Sequence, residues 1–139
     1  MAQIGTRHMK IEVDGVEYSP EVSNARFTAA AGDTDFLTFA AASGGGNRDY
    51  AFAFTAAQDL AAGTLWRMMF DNPGDEVVVT LMPYGNAAPS TTEPHVSATV
   101  TVGEPDGDLI GGEANTSTTA KMTWEGSWAT TSKPTLVTS

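Results

Sequence analysis

One stretch, residues 64–84, most constrains the fold, because it holds the only convincing helical pattern in the 139-residue chain and the most hydrophobic strand. Thr64 can cap a helix that Asn72-Pro73-Gly74 would end, which leaves about two turns. A helix this short is unstable in water unless packing holds it, so we expect Trp66, Met69 and Phe70 to bury it against a sheet. Its apolar residues cover more than one face: Leu65, Trp66, Met68, Met69 and Phe70.

The rest of the chain has the patterns of strands and loops. Residues 10–18, KIEVDGVEY, alternate around Asp14-Gly15, a dipeptide that suits a type I′ turn, and so predict a β-hairpin. Residues 48–55, RDYAFAFT, have the clearest period of two, which places Tyr50, Phe52 and Phe54 on a core face. Further strands are predicted over residues 21–31, 35–42, 76–82, 95–102 and 121–130.

These elements predict a mainly β protein, an antiparallel β-sandwich or barrel with one short α-helix, in a single domain over residues 10–139. A chain of this length can bury one core without metals or disulfides. The last strand should place Met122, Trp124 and Trp128 on one side. The residues expected in the core are Trp66, Phe70, Phe52, Phe54, Val79 and Trp124.

Four segments lack a hydrophobic period and are predicted to be loops or arms. Residues 43–47, SGGGN, predict a mobile loop, and residues 85–94 a polar connection. Residues 103–119 form a long loop for which we expect a role, since structureless loops longer than about 12 to 15 residues are uncommon in compact domains. The tail, residues 132–139, is expected to be a short arm.

The charge of the chain disfavours nucleic-acid adhesion. Seventeen acidic and seven basic residues give a net charge of −10, and residues 68–120 contain eight acids without a single Lys or Arg. A protein that grips phosphates needs clustered cations. The chain has no cysteine, no secretory h-region and no run of about 18 apolar residues, so we expect a soluble protein made in the cytoplasm.

No catalytic or metal-binding constellation emerges from the sequence. His8 and His95 lack metal-ligand spacing and are expected to lie on the surface or at a strand edge. The acids of EPDGDLIGGE lack the oxygen spacing of an EF-hand loop, and the glycines at 44–46 open no helix. We therefore expect no enzyme activity, no catalytic residues, no cofactor and no metal.

Three motifs in a fixed order resemble a known family. They are LWRMMFDNPGDEVVVTLMPYGNAAPSTTEPHVSATVTV, then GDLIGGEA, then MTWEGSWATTSKPTLVTS. Together they resemble the major tail (tail tube) proteins of long-tailed bacteriophages, especially those that infect actinobacteria. The resemblance runs from about Lys10 to the end. Residues 1–9 fall outside it and are expected to be an N-terminal arm or, in part, a cloning remnant.

The resemblance implies a structural virion protein made in the host cytoplasm. Six copies would form a ring, rings would stack into a tube, and joined sheets would make an inner barrel that conducts DNA without binding it specifically. Other tail proteins (tape measure, tail terminator, distal tail protein) would be partners. The lumen candidates are Asp49, Ala51, Ala53 and Thr55 or, alternatively, Ser97, Thr99 and Thr101. The inter-subunit candidates are Ser43, Gly44, Gly45, Gly46, Asn47, Asp108, Ile110, Gly111, Gly112 and Glu113.

Two other classes of function stay open at this point. One is a monomeric β-sandwich binding module, for instance for carbohydrate, although the aromatic residues alternate inward instead of clustering in a polar loop. The other is a different phage structural part, such as a head decoration or head-to-tail joining protein.

Overall fold

Two antiparallel sheets pack against each other around one hydrophobic core. The structure is a computed structural model that describes residues 3–31, 38–43 and 48–139. In chain order, the elements of these segments are β1 (Lys10–Val13), β2 (Val16–Glu17), β3 (Val22–Ala31), α1 (Phe39–Ser43), β4 (Arg48–Ala57), α2 (Leu65–Asp71), β5 (Glu76–Met82), β6 (His95–Thr101), β7 (Thr123–Ala129) and β8 (Thr135–Val137). The mainly β, antiparallel class predicted from the sequence is confirmed.

The larger sheet has five strands in the order β2-β1-β5-β6-β8. Its first hairpin forms as predicted, with Asp14 and Gly15 at φ values of 53° and 83°, as a type I′ turn requires. The register places Val13 beside Val79, and Val79 beside Ala98, all buried. This inner face is therefore aliphatic.

The smaller sheet has three strands in the order β3-β4-β7, and its inner face is aromatic. Phe54 meets Trp124 and Trp128 edge-on, with ring centroids 4.9 and 4.7 Å apart. Phe52 stacks beside Phe54 at 5.1 Å. Gly126 lies opposite Phe54 in the register, and a Cβ atom there would come within 2.5 Å of the phenyl ring. The two tryptophans flank the space that this glycine leaves for the ring.

Helix α2 begins at the predicted cap, since the Thr64 hydroxyl accepts a hydrogen bond from the Arg67 amide. Leu65, Trp66 and Met69 are buried, as expected of a helix held by packing. The prediction that Phe70 belongs to the core is wrong, because its side chain is 47% exposed. It stacks on the outer side of the Trp66 ring, with centroids 4.9 Å apart, so it covers the core residue instead of entering the core.

The strand predicted over residues 35–42 is also wrong where the structure describes it. Residues 39–43 form α1, and the Ala42 amide donates to the Thr38 carbonyl at 3.0 Å, as in a helical turn. Phe39 is 97% exposed, so its side chain packs against neither sheet. The three alanines at 40–42 have high helix propensity, which favours the helical turn once no strand partner is present. Residues 35–37 lie outside the described residues.

Three smaller corrections concern the second half of the chain. The tail is not a free arm, because β8 pairs with β6 and covers an edge that would otherwise be open. His95 is not on the surface but 5% exposed, because β6 lies between β5 and β8 and the His95 Nε2 hydrogen-bonds with the Asn86 carbonyl at 3.0 Å. Met122 precedes β7 and is 45% exposed, whereas Trp124 and Trp128 are buried as predicted.

Candidate assembly surfaces

The outer face of the three-stranded sheet carries the first set of lumen candidates. The register sets Ala53 between Arg26 and Ser127, and Thr55 between Asn24 and Glu125. Asp49 is exposed and Ala51, Ala53 and Thr55 are half-buried, as the period of two predicted. The face is therefore built from small and polar side chains.

A groove of about 660 Å³ runs over this outer face, with the loop after β6 as one wall. Among the described residues that line it, Arg26 is the one cation, opposed by Glu104, Asp106, Asp108 and Glu125. We call it the acidic groove. No group of three or more His, Asp or Glu side chains in the described segments is placed to hold a metal ion. The groove gives this side of the protein a negative field that would repel phosphates.

The outer face of the five-stranded sheet carries the second set of lumen candidates. Ser97, Thr99 and Thr101 are half-buried there, paired with Thr80, Val78 and Glu76 respectively. Val78 is 45% exposed on the same face. Both faces carry small or polar side chains, and the lengths of the sheet edges distinguish them.

The two sheets end in very different edges. The five-stranded sheet ends in β2, with two residues, and β8, with three. The three-stranded sheet ends in β3, with ten residues, and β7, with seven. Short edge strands are a common protection against unwanted pairing, whereas a long edge presents a row of backbone groups to another chain. Among the described residues, the smaller sheet is thus the one with long unpaired edge strands.

Side-chain hydrogen bonds anchor the long loop between β6 and β7. The Gln58 amide group clamps it, because its Oε1 accepts from the Gly111 amide at 2.7 Å while its Nε2 donates to the Gly111 and Thr123 carbonyls at 2.9 Å each. The indoles of Trp66 and Trp128 donate to the carbonyls of Leu109 and Gly103, both at 2.9 Å. These bonds hold residues 103–111 of the loop in place although this segment has no regular structure.

This anchoring places the inter-subunit candidates. Asp108, Ile110, Gly112 and Glu113 are exposed on the clamped loop, while Gly111 is half-buried by its bonds to Gln58. Ser43 is exposed at the end of α1, and the four candidates at 44–47 lie outside the described residues. The structure thus brings the loop candidates together beside β7.

An apolar patch that the sequence analysis missed surrounds Ile110. Its members line two adjoining depressions beside α2 and the loop. The patch consists of Leu60 (49% exposed), Phe70 (47%), Ile110 (56%) and Met122 (45%). Contiguous apolar surface of this kind marks interaction sites in many proteins. The one signal in the sequence was that apolar residues covered more than one face of α2, which a helix buried on a single side does not need.

Neither helix in the described part of the chain has the length and apolar character needed to cross a bilayer. No model of a protein family matches the chain, and no curated protein matches it either.

Proposed function

We propose that this protein is a structural subunit of a bacteriophage tail tube, in which six copies form a ring, rings stack into a tube, and the lumen conducts DNA during genome ejection. The observation that carries the proposal is the three-stranded sheet with two long edge strands, β3 and β7, whose outer sides no other described strand pairs. Closure of such sheets into a ring gives every edge a partner, which is how barrels remove edges altogether.

The strand count suits a channel. Six copies of a three-stranded sheet supply 18 strands, and barrels of about 16 to 18 strands leave an aqueous lumen. In this arrangement the aromatic inner face packs within the subunit and the small-residue face points to the lumen. We therefore favour Asp49, Ala51, Ala53 and Thr55 as lumen residues over Ser97, Thr99 and Thr101, whose sheet has short edges.

The charge of the protein supports passage of DNA rather than binding. Asp49 would contribute one negative charge per copy to each ring, and the net charge of −10 opposes adhesion of phosphates. The role needs neither catalytic residues nor a cofactor. The apolar patch and the clamped loop, with Asp108, Ile110, Gly112 and Glu113, are available for contacts with the neighbouring copy, the next ring or other tail proteins.

Electron microscopy of the purified protein, with sedimentation over a range of concentrations, tests the proposal. Rings or tubes with six-fold symmetry are the expected result. Single particles that stay monomeric at every concentration would contradict it and favour a monomeric binding module. Failure to form tubes, together with trimers that decorate capsids, would favour a head protein instead.

A further inference from the structure

The two edge strands of the three-stranded sheet run in the same chain direction. β3 is antiparallel to β4, and β4 is antiparallel to β7, so β3 and β7 run parallel to each other. Copies related by rotation about a ring axis keep this direction. When β7 of one copy meets β3 of the next, the new pair must therefore be parallel. A contact between two β3 edges related by a two-fold axis would be antiparallel and would stop at two copies.

The edge of β7 is accessible to such a partner. In the part of the chain that the structure describes, no backbone hydrogen bond joins β7 to the loop that runs beside it. The loop is held by Gln58, Trp66 and Trp128 instead. The Thr123 carbonyl at the start of β7 accepts from Gln58 Nε2, and no other hydrogen bond among the described residues occupies the outward backbone groups of β7, so the rest of this edge is available to a strand from another chain.

Each edge strand carries a single charge, and the two charges have opposite signs. Arg26 is the one charged residue of β3 and Glu125 the one charged residue of β7, and both are exposed on the outer face of the sheet. Within a copy β4 separates them and Arg26 is level with Ser127, so two strand spacings and a two-residue offset place the backbones of Arg26 and Glu125 about 12 Å apart. The one ion pair among the described residues is elsewhere, between Arg67 and Asp71 at 2.9 Å. Neither charge of the edges is paired in the monomer.

We infer that a second copy of this chain docks its β3 in parallel on β7, with its Arg26 beside Glu125, so that Asn24 faces Thr123 and Thr28 faces Ser127 across the junction. The acids of the groove wall strengthen the field that attracts Arg26 and oppose a contact between two β7 edges. Because Arg26 is level with Ser127 inside one copy, this register staggers each copy by two residues. Barrel closure requires a stagger of this kind. The inference rests on the proposed ring and specifies its junction.

Cross-linking tests the pairing, because the chain has no cysteine of its own. Four variants, Asn24→Cys, Thr28→Cys, Thr123→Cys and Ser127→Cys, are each purified, mixed in pairs under assembly conditions and oxidised. The inference expects disulfides in the mixtures of position 24 with 123 and of 28 with 127. Strong cross-links in the crossed mixtures, 24 with 127 and 28 with 123, would indicate an antiparallel junction. Cross-linked homodimers of either β3 variant would indicate a two-fold contact, and each of these results would overturn the inference.

A charge exchange provides the second test. Arg26→Glu or Glu125→Arg alone should raise the concentration needed for assembly roughly two- to thirty-fold, since a cross-strand attraction becomes a repulsion. The double variant should recover most of the loss, and Arg48→Glu, at an exposed position of the central strand, should have no such effect.

The two proposals fail in different ways. Wild-type rings with no cross-links in the expected mixtures, or no recovery in the double variant, would overturn the junction and leave the ring standing. A wild-type protein that never assembles would remove both.

Discussion

The two sheets of this protein differ in the composition of their inner faces and in the length of their edge strands. The five-stranded sheet is broad, has an aliphatic inner face and ends in strands of two and three residues. The three-stranded sheet is narrow, has an aromatic inner face and ends in strands of ten and seven residues. The first leaves only short edges. The second depends on large rings for its packing and, on our proposal, on other copies for its edges, so the sheet with fewest strands would be the one that builds the assembly.

If the aromatic sheet carries more of the packing energy, Trp124→Ala should destabilise the protein more than a truncation in the aliphatic sheet. Its ring contacts Phe54 and its Nε1 donates to the Ala57 carbonyl at 3.2 Å, so the loss should be about 3 to 5 kcal/mol. Val100→Ala in the five-stranded sheet, also fully buried, should cost less, about 1.5 to 3 kcal/mol. Urea denaturation followed by circular dichroism measures both, and equal losses would remove the energetic difference between the sheets.

A smaller loss is expected from added volume at the aromatic face. Gly126→Ala would push a methyl group into the Phe54 ring and should cost about 1 to 3 kcal/mol. Gly107→Ala is the matched control, because a Cβ there meets no atom within 4 Å. Combining Gly126→Ala with Phe54→Leu should lower the cost of the alanine. The same cost in both backgrounds would show that the ring is not what the glycine accommodates.

One lysine substitution on the outer face of each sheet tests which of the two faces lines the lumen. Asp49→Lys and Thr99→Lys alter no fully buried side chain and should change the free energy of unfolding by less than about 0.5 kcal/mol. In assembled tubes only Asp49→Lys should retain duplex DNA at low salt and release it as salt rises, because its cations face the lumen. Retention by Thr99→Lys alone would reverse the assignment of the two faces.

The smallest expected effect is the pH dependence of stability that Tyr18 contributes next to the short edge strand β2. Burial raises the pKa of the Tyr18 phenol above its usual value of 10.0, with further contributions from Glu21 and Asp14. The protonated phenol is then favoured in the folded state, so its contribution to stability is complete below about pH 10 and declines as pH rises through the higher folded pKa. Tyr18→Phe should lack this decline above about pH 10 in chemical denaturation. Identical curves for both proteins would contradict the effect.

Elements with local determinants could be predicted from the sequence. The hairpin depends on Asp14-Gly15 taking positive φ, and β4 on alternation that commits Phe52 and Phe54 to one face. The cap at Thr64 likewise depends on residues three positions apart. Each of these signals acts within a few residues, and each prediction was confirmed.

Elements that depend on distant partners could not be predicted. β8 is a strand because β6 offers it an edge, and His95 is buried because β8 and the preceding loop cover it. Phe70 has the composition of a core residue, yet Trp66 already fills the space beneath it. Of the candidate site, the alternation of Asp49 to Thr55 was predictable. The edge lengths and the clamp by Gln58 were not, because both follow from the division of strands between the two sheets.

The clamp by Gln58 has a consequence for hydrogen exchange. The loop between β6 and β7 lacks a backbone ladder, so most of its amides should exchange with solvent quickly. The Gly111 amide is different, because it donates to the half-buried Gln58 at 2.7 Å, whereas the Ser117 and Thr119 amides donate only to exposed side chains two residues away. One slowly exchanging amide within a fast-exchanging segment would act as a built-in reporter of loop opening, and its rate would reflect the free energy of releasing the clamp.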